Sequence, residues 1–255
     1  MTFYTSATTD VGIKKPINQD SVMVRSISCS AGDIVFACVC DGMGGLQSGE
    51  LASATVLKAF EEWLDTKLPL ITAHGITEGA VIDGWAEIVS RCNDKILAYG
   101  NGAGITLGTT LTAILLTQTD YYIVNIGDSR TYEITDTLKQ LTHDHTFVQQ
   151  EVDAGHMTAQ EALTSNKRHI LTRCIGARED MAPDFFSGKV KKDAVYMLCS
   201  DGFRHTVSEQ EFIQHLSPVT INCDEDLKKR EVYLIDVNKQ RRENDNISVV
   251  TVAAR

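Results

Sequence analysis

The stretch that most narrows what this chain can become is Ile34 to Cys40, an apolar run that stops abruptly at Asp41-Gly42-Met43-Gly44-Gly45. A run this short, bounded by Gly32-Asp33 and by glycines, fits a buried strand better than a helix. It leaves a carboxylate where the strand runs out, beside glycines that admit positive φ and close approach. Taken alone, Asp-Gly after a strand marks a turn. The arrangement recurs, however. Tyr121 to Gly127 ends at Asp128, and Val195 to Ser200 ends at Asp201-Gly202. Asp20 and Asp245 stand at the opposite ends of two further strand-like runs, Ser21 to Ile27 and Ile247 to Val252. In antiparallel pairing the start of one strand lies beside the end of the next, so five carboxylates can gather at one sheet edge. Their mutual repulsion raises pKa values unless cations neutralise them. With oxygen donors alone, and no His or Cys in ligand spacing beside them, the implied ions are Mg²⁺ or Mn²⁺ rather than Zn²⁺.

Composition excludes several other classes. A formal charge of −10 argues against nucleic acid or an anionic membrane as partner. By length, 255 residues make one or two domains, and the absence of a linker favours one. The seven cysteines form no Cys-x-x-Cys pair, and several lie in apolar runs, which fits a reducing compartment. Met1 to Asp10 is polar, without the apolar core of a signal peptide, and no run reaches membrane-spanning length. The expected location is the cytoplasm.

Along the chain, Ser48 is the expected N-cap of a helix reaching about Thr66, with Ala52, Val56, Phe60 and Trp63 on one face. A second amphipathic helix is expected over Glu78 to Tyr99. Asn101 to Thr110 is glycine-rich but lacks the Gly-Lys-Ser/Thr ending of a phosphate loop, so it reads as a flexible approach to the strand Leu111 to Leu116. Strands follow at Tyr121 to Ile126 and Arg130 to Ile134. His143-Asp144-His145 reads as a turn held by local hydrogen bonds. Phe147 to Asn166 reads as a surface flap of short helices, and Ile170 to Ile175 and Val195 to Cys199 as strands. The helices Ser208 to Leu216 and Asp224 to Gln240 precede the last strand. His156, His205 and His215 are assigned to the surface, and Asn246 to shaping the turn beside Asp245.

In order and spacing, Asn18-Gln19-Asp20, Asp41-Gly42-Met43-Gly44-Gly45, Leu107-Gly108-Thr109-Thr110, Gly127-Asp128-Ser129-Arg130, Asp144-His145, Leu171-Thr172-Arg173, Ser200-Asp201-Gly202 and Asp245-Asn246 resemble the metal-dependent type 2C (PPM) serine/threonine protein phosphatases, especially compact bacterial members. The resemblance covers nearly the whole chain. It implies an α+β fold, a four-layer αββα sandwich of two antiparallel β-sheets flanked by helix pairs. It also implies one catalytic domain over residues 1–255 with its flap at 147–166. By the same likeness Asp41 bridges two Mn²⁺ or Mg²⁺ ions, the Gly42 carbonyl binds one, and Asp201 and Asp245 complete the other's shell. Asp20 acts through bound water, and Asp128 with Asp201 forms a third, weaker site. A water activated between the two ions then attacks phosphorus. Lys15 stands where the family usually has an arginine that holds the substrate phosphate, and lysine supplies a point charge rather than a planar fork. Gln19 replaces a common glutamate, and Met43 stands where some members carry a histidine proposed as general acid. The implied partners are phosphoserine and phosphothreonine proteins opposing a Ser/Thr kinase, met by a monomer. A competing expectation is an inactive relative that binds phosphoproteins as a regulator. A serine esterase built on Gly127-Asp128-Ser129 lacks a recognisable base.

Overall fold

The computed structural model describes residues 1–29, 32–44 and 48–255; Gly45 of the glycine motif lies outside them. In chain order the first half comprises β1 (Phe3–Asp10), β2 (Ser21–Cys29), β3 (Gly32–Cys40), β4 (Gly42–Gly44), α1 (Gly49–Thr66), α2 (Leu68–His74), α3 (Glu78–Ala103), β5 (Leu107–Thr109), β6 (Leu111–Leu116) and β7 (Asp120–Ile126). The second half comprises β8 (Arg130–Ile134), β9 (Leu138–Gln140), α4 (Phe147–Asp153), α5 (Ala159–Thr164), β10 (Asp184–Lys189), β11 (Ala194–Cys199), α6 (Asp201–Arg204), α7 (Glu209–His215), α8 (Asp224–Gln240) and β12 (Ile247–Ala254).

Two five-stranded sheets form, in the orders β1-β12-β11-β8-β9 and β10-β7-β6-β3-β2. Every neighbouring pair in them is antiparallel. The strand β3 explains why the layers stack as they do, because alternate side chains of a strand face opposite sides. Ile34, Phe36, Cys38 and Cys40 join the core under α1 and α3, where Phe60, Trp63 and Trp85 lie. Val35, Ala37 and Val39 face the other way, into a core shared with Tyr196, Leu198, Val250 and Val252 of the opposite sheet. A third core, including Phe203, Phe212, Leu227 and Leu234, seats α6, α7 and α8 on the outer face of that sheet. Buried on both faces, β3 shows the continuous apolar run that its sequence displays. The Phe36, Phe60, Trp63 and Trp85 rings pack with centroids 5.4 to 6.1 Å apart, each pair adding about 0.5–1.5 kcal/mol beyond area burial.

The structure departs from the sequence reading at several points. Phe3–Asp10 is not an idle polar start but an edge strand paired with β12 from Phe3↔Ala254 to Asp10↔Ile247; its Thr-rich alternation suits a partly exposed edge. Ile170 to Ile175 is not a strand, making only isolated bridges from Leu171 to Thr146 and from Ile175 to Thr109. Ser48 precedes α1 as expected, but at φ 119° its side chain caps nothing. Leu107–Thr109 is ordered by pairing with β4 rather than being a loose approach to β6. Among the described residues no helix is long and apolar enough to cross a membrane.

Candidate metal centre

Strand register brings the aspartates together. Ser21 pairs with Cys40, so Asp20, just before β2, and Asp41, just after β3, flank the same sheet end. The Asp41 backbone is clamped there: its N–H donates to Thr110 Oγ1 at 2.9 Å, and its carbonyl accepts from Thr110 N–H at 2.9 Å and from the Thr109 hydroxyl at 3.0 Å. A Cβ on Gly42 would collide with the carbonyl oxygens of Gly49 and Gln19, so only glycine lets the chain turn here beneath α1. In the other sheet Cys199 pairs with Val249. Ser200 and Ser248 continue the ladder, the Ser200 N–H donating to the Ser248 carbonyl and the Ser248 N–H to Ser200 Oγ, both at 3.1 Å. That pairing carries Asp201, which opens α6, alongside Asp245, which precedes β12.

A cleft of about 890 Å³ collects these positions: Lys15, Asp41, Gly42, Asp128, Asp201 and Asp245 all line it. Asp20 is buried behind them at 9% exposure. Burial, reinforced by Asp20, Asp201, Asp128 and Asp245, pushes the Asp41 carboxyl well above its ordinary range. Burial likewise lifts Asp20 to about 7, with Asp201 and Asp245 adding to the rise, and Asp128 to about 6, with Asp201 adding to the rise and Arg204 opposing it. Asp201 goes the other way, because His169, His205 and Arg204 beside it outweigh the cost of its burial. Both carboxylate oxygens of Asp20, and Oδ1 of Asp201, are buried with no hydrogen-bond partner. Buried polar groups are almost always satisfied. Orphaned carboxylate oxygens, like charges in mutual repulsion and the carboxylate and carbonyl oxygens gathered around Asp41 together fit hard divalent cations. Lys15 Nζ lies 2.7 Å from Asp245 Oδ1 at the mouth of the cleft.

Other residues carry more than their local sequence suggests. Asn246 does not merely shape a turn: its Oδ1 accepts from the Gln19 N–H at 2.9 Å, and its Nδ2 donates to the carbonyls of Val11 at 3.0 Å and Ile17 at 3.1 Å. It staples the loop bearing Lys15 and Asp20 onto β12. Asn246→Ala is expected to destabilise the fold by about 1.5–3 kcal/mol, since a buried side chain loses three part-buried hydrogen bonds; urea unfolding measures this, and a loss under 0.5 kcal/mol would refute the staple. Asp144 has a local bond, from Gln140 Nε2 at 3.0 Å, but is held by more than that. It is buried in a bidentate pair with Arg130, Nε to Oδ1 at 2.8 Å and the terminal nitrogen to Oδ2 at 2.7 Å. Arg204 continues this network to the Asp128 carbonyl at 3.0 Å. His205, expected on the surface, lines the cleft four residues after Asp201, as the C-cap of the short helix that Asp201 opens, and His169 lines it too. The i,i+4 spacing of Asp201 and His205 was the available signal for nitrogen donors beside the aspartates; His169 gave none. Ser129, the serine of the esterase motif, is fully buried, its hydroxyl 2.7 Å from Thr110 Oγ1.

Residues 13–232 match the family model described as protein phosphatase 2C. The serine/threonine phosphatase Stp of Listeria innocua is 31% identical over 224 residues, which cover 84% of this chain and 82% of that protein. Among solved structures, the S. agalactiae serine/threonine phosphatase superposes with a TM-score of 0.86 at 25% identity over the whole of both chains. The catalytic domain of the serine/threonine protein phosphatase PstP, solved in complex with two manganese ions, superposes with a TM-score of 0.79 at 30% identity, covering 98% of this chain and 97% of that one.

Proposed function

The chain belongs to the protein phosphatase 2C family, and from that premise we propose that it is a metal-dependent phosphatase removing phosphate from phosphoserine and phosphothreonine in proteins. The observation that carries the proposal is the meeting of Asp41, Asp201 and Asp245, drawn from two different sheets, in one cleft with orphaned carboxylate oxygens behind it. Asp41, the Gly42 carbonyl, Asp201 and Asp245 would hold a pair of Mn²⁺ or Mg²⁺ ions, with Asp20 behind them and Asp128 with Asp201 at a third position. When bound, such ions supply positive charge to the phosphoryl oxygens and make water acidic enough to act as nucleophile near neutral pH.

The protein's own groups do the rest. Thr109 and Thr110 fix the Asp41 backbone, so its carboxylate is oriented before anything binds. Lys15 sits at the cleft mouth with its ammonium charge reinforced by Asp245, Asp41 and Asp201 against the opposing effect of burial, placed to receive a phosphate oxygen. The thiol lining the cleft, Cys174, is pushed up by burial, which disfavours the thiolate as attacking group. The sequence keeps every aspartate that the family resemblance calls for, which favours the enzyme over the binding-only alternative. The substrate's phosphate implies a Ser/Thr kinase acting upstream.

Hydrolysis of a phosphothreonine peptide with Mn²⁺, with Mg²⁺ and with EDTA tests the reading. Turnover is expected with a divalent ion and not with EDTA; activity surviving EDTA, or none with any ion, would overturn it. Lys15→Ala is expected to raise KM on the order of tenfold with kcat little changed, because it removes phosphate binding rather than the nucleophile. A tenfold fall in kcat at constant KM would contradict that role.

A further inference from the structure

Among the described residues, the set of three potential ligand atoms that lie within 4.8 Å of one another is not made of aspartates alone: it is His169, Asp201 and His205. We propose that these three form a nitrogen-rich site for a Zn²⁺-class ion that shares Asp201 with the oxygen-lined centre beside it, and that an ion bound there inhibits the enzyme by taking Asp201 away from that centre.

The two ends of the Asp201 carboxylate face different surroundings. Oδ1 is buried and has no partner, whereas Oδ2 faces both imidazoles, 3.5 Å from His205 Nε2 and 3.8 Å from His169 Nδ1. Those separations are long for hydrogen bonds. They lie close to the roughly 3.3 Å edge between ligands held 2.0–2.1 Å from a tetrahedral ion. The imidazole rings stand nearly perpendicular, at 85° with centroids 5.3 Å apart, so they converge from different directions instead of stacking. The other nitrogen of His205, Nδ1, has the Glu243 carboxylate 3.6 Å away, longer than a hydrogen bond but placed to accept one once an ion fixes the ring. A fourth position opens to the cleft that both histidines line, free for water or a phosphate oxygen.

Donor chemistry separates the two centres. Imidazole nitrogen favours Zn²⁺, Ni²⁺ or Cu²⁺, whereas carboxylate and carbonyl oxygens suit Mg²⁺ and Mn²⁺, and Mn²⁺ is the weakest binder of its row. Zinc on Oδ2 would draw charge from the carboxylate whose Oδ1 serves the catalytic pair. The inhibitory part of the proposal rests on the phosphatase reading; the binding part does not.

The test titrates ZnCl₂ calorimetrically into the full chain in excess Mn²⁺, comparing wild type, His169→Ala, His205→Asn and the double variant, each checked for folding by its melting curve. Wild type is expected to bind zinc at least tenfold more tightly than either single variant. The zinc concentration that halves p-nitrophenyl phosphate hydrolysis is expected to rise at least tenfold in parallel. Should His205→Asn fail to fold, His169→Ala decides, because that side chain is half exposed. Unchanged zinc affinity in the histidine variants would overturn the site, and unchanged inhibition alongside lost binding would overturn the inhibitory role. Histidine-dependent zinc binding in a chain inactive with every ion would uphold the site and overturn the reading in the preceding subsection.

Discussion

Asp41→Asn is expected to cut kcat for a phosphothreonine peptide on the order of 10³-fold or more while making the ion-free protein more resistant to heat. A loss of that size corresponds to roughly 4 kcal/mol of transition-state stabilisation, reasonable for the carboxylate assigned to both ions. The gain in stability has a separate origin. Burial and four neighbouring aspartates push the Asp41 carboxyl well up, so without bound cations the folded protein must hold a proton there or carry an unfavourable charge, and either costs stability at neutral pH. Asparagine keeps the shape and leaves the backbone bonds to Thr109 and Thr110 in place, removing only the charge. Relief on the order of 1–2 kcal/mol raises Tm by about 2–8 °C in a chain of this size. Asp201→Asn supplies the contrast. Its activity should fall similarly, but its charge is balanced by His169, His205 and Arg204, so its loss brings no such gain. A thermal scan in EDTA and a Mn²⁺ assay on both variants decide the matter. An Asp41→Asn protein that melts below wild type, or keeps a tenth of its activity, would show that this carboxylate is not the strained member of a cation-binding set.

What the sequence could reveal depended on whether a residue's role is set along the chain or across it. The β3 run declares itself because both of its faces are buried, and Asp20, Asp41, Asp201 and Asp245 declare themselves because each sits at a strand end whose antiparallel register is simple to infer. Asp128 declares itself in the same way, at the end of the Tyr121 to Gly127 run, whereas the roles of Lys15 and the Gly42 carbonyl came with the family likeness; all three residues line the cleft. Partners set by long-range packing left no such trace. Asn246 reaches Gln19 across the whole length of the chain. Arg204 joins Asp128 through contacts that no periodicity encodes, and the network continues through the buried Asp144–Arg130 pair. His205 carried a weak signal, an i,i+4 spacing from Asp201 that becomes meaningful only once α6 is known to be helical. His169 follows α5 in a segment with no regular structure, and only the fold brings it to Asp201. β1 escaped notice because an edge strand with one partner, β12, needs no strong apolar alternation.

The same repulsion predicts how stability should vary with pH. The carboxyls of Asp20, at about 7, and Asp128, at about 6, are raised in the folded chain, and Asp41 is raised further; unfolded, all three return to ordinary values near 4. The folded state therefore holds more protons than the unfolded state between about pH 4 and 7, and stability falls wherever that is so. The contribution of these groups is fully present below about pH 4 and is lost as pH rises through the folded values. Asp201, shifted downward, loses its contribution only at acid pH, below the window considered. The buried His145, held low chiefly by burial, runs in the opposite sense as pH passes below the ordinary histidine range, but is a single group against three. In EDTA, Tm is thus expected to decline from pH 5.5 to pH 8. Divalent ions should reverse the decline, because binding replaces the protons that keep the aspartates neutral and strengthens as those protons leave. At a hundred times its dissociation constant Mn²⁺ adds about 2.7 kcal/mol, a rise in Tm of roughly 5–11 °C for a protein of this length, and the increment should be larger at pH 8 than at pH 5.5. Thermal scans at four pH values with and without Mn²⁺ test both halves of the expectation. A flat or rising Tm in EDTA, together with a Mn²⁺ increment independent of pH, would mean that these aspartates do not share one desolvated pocket.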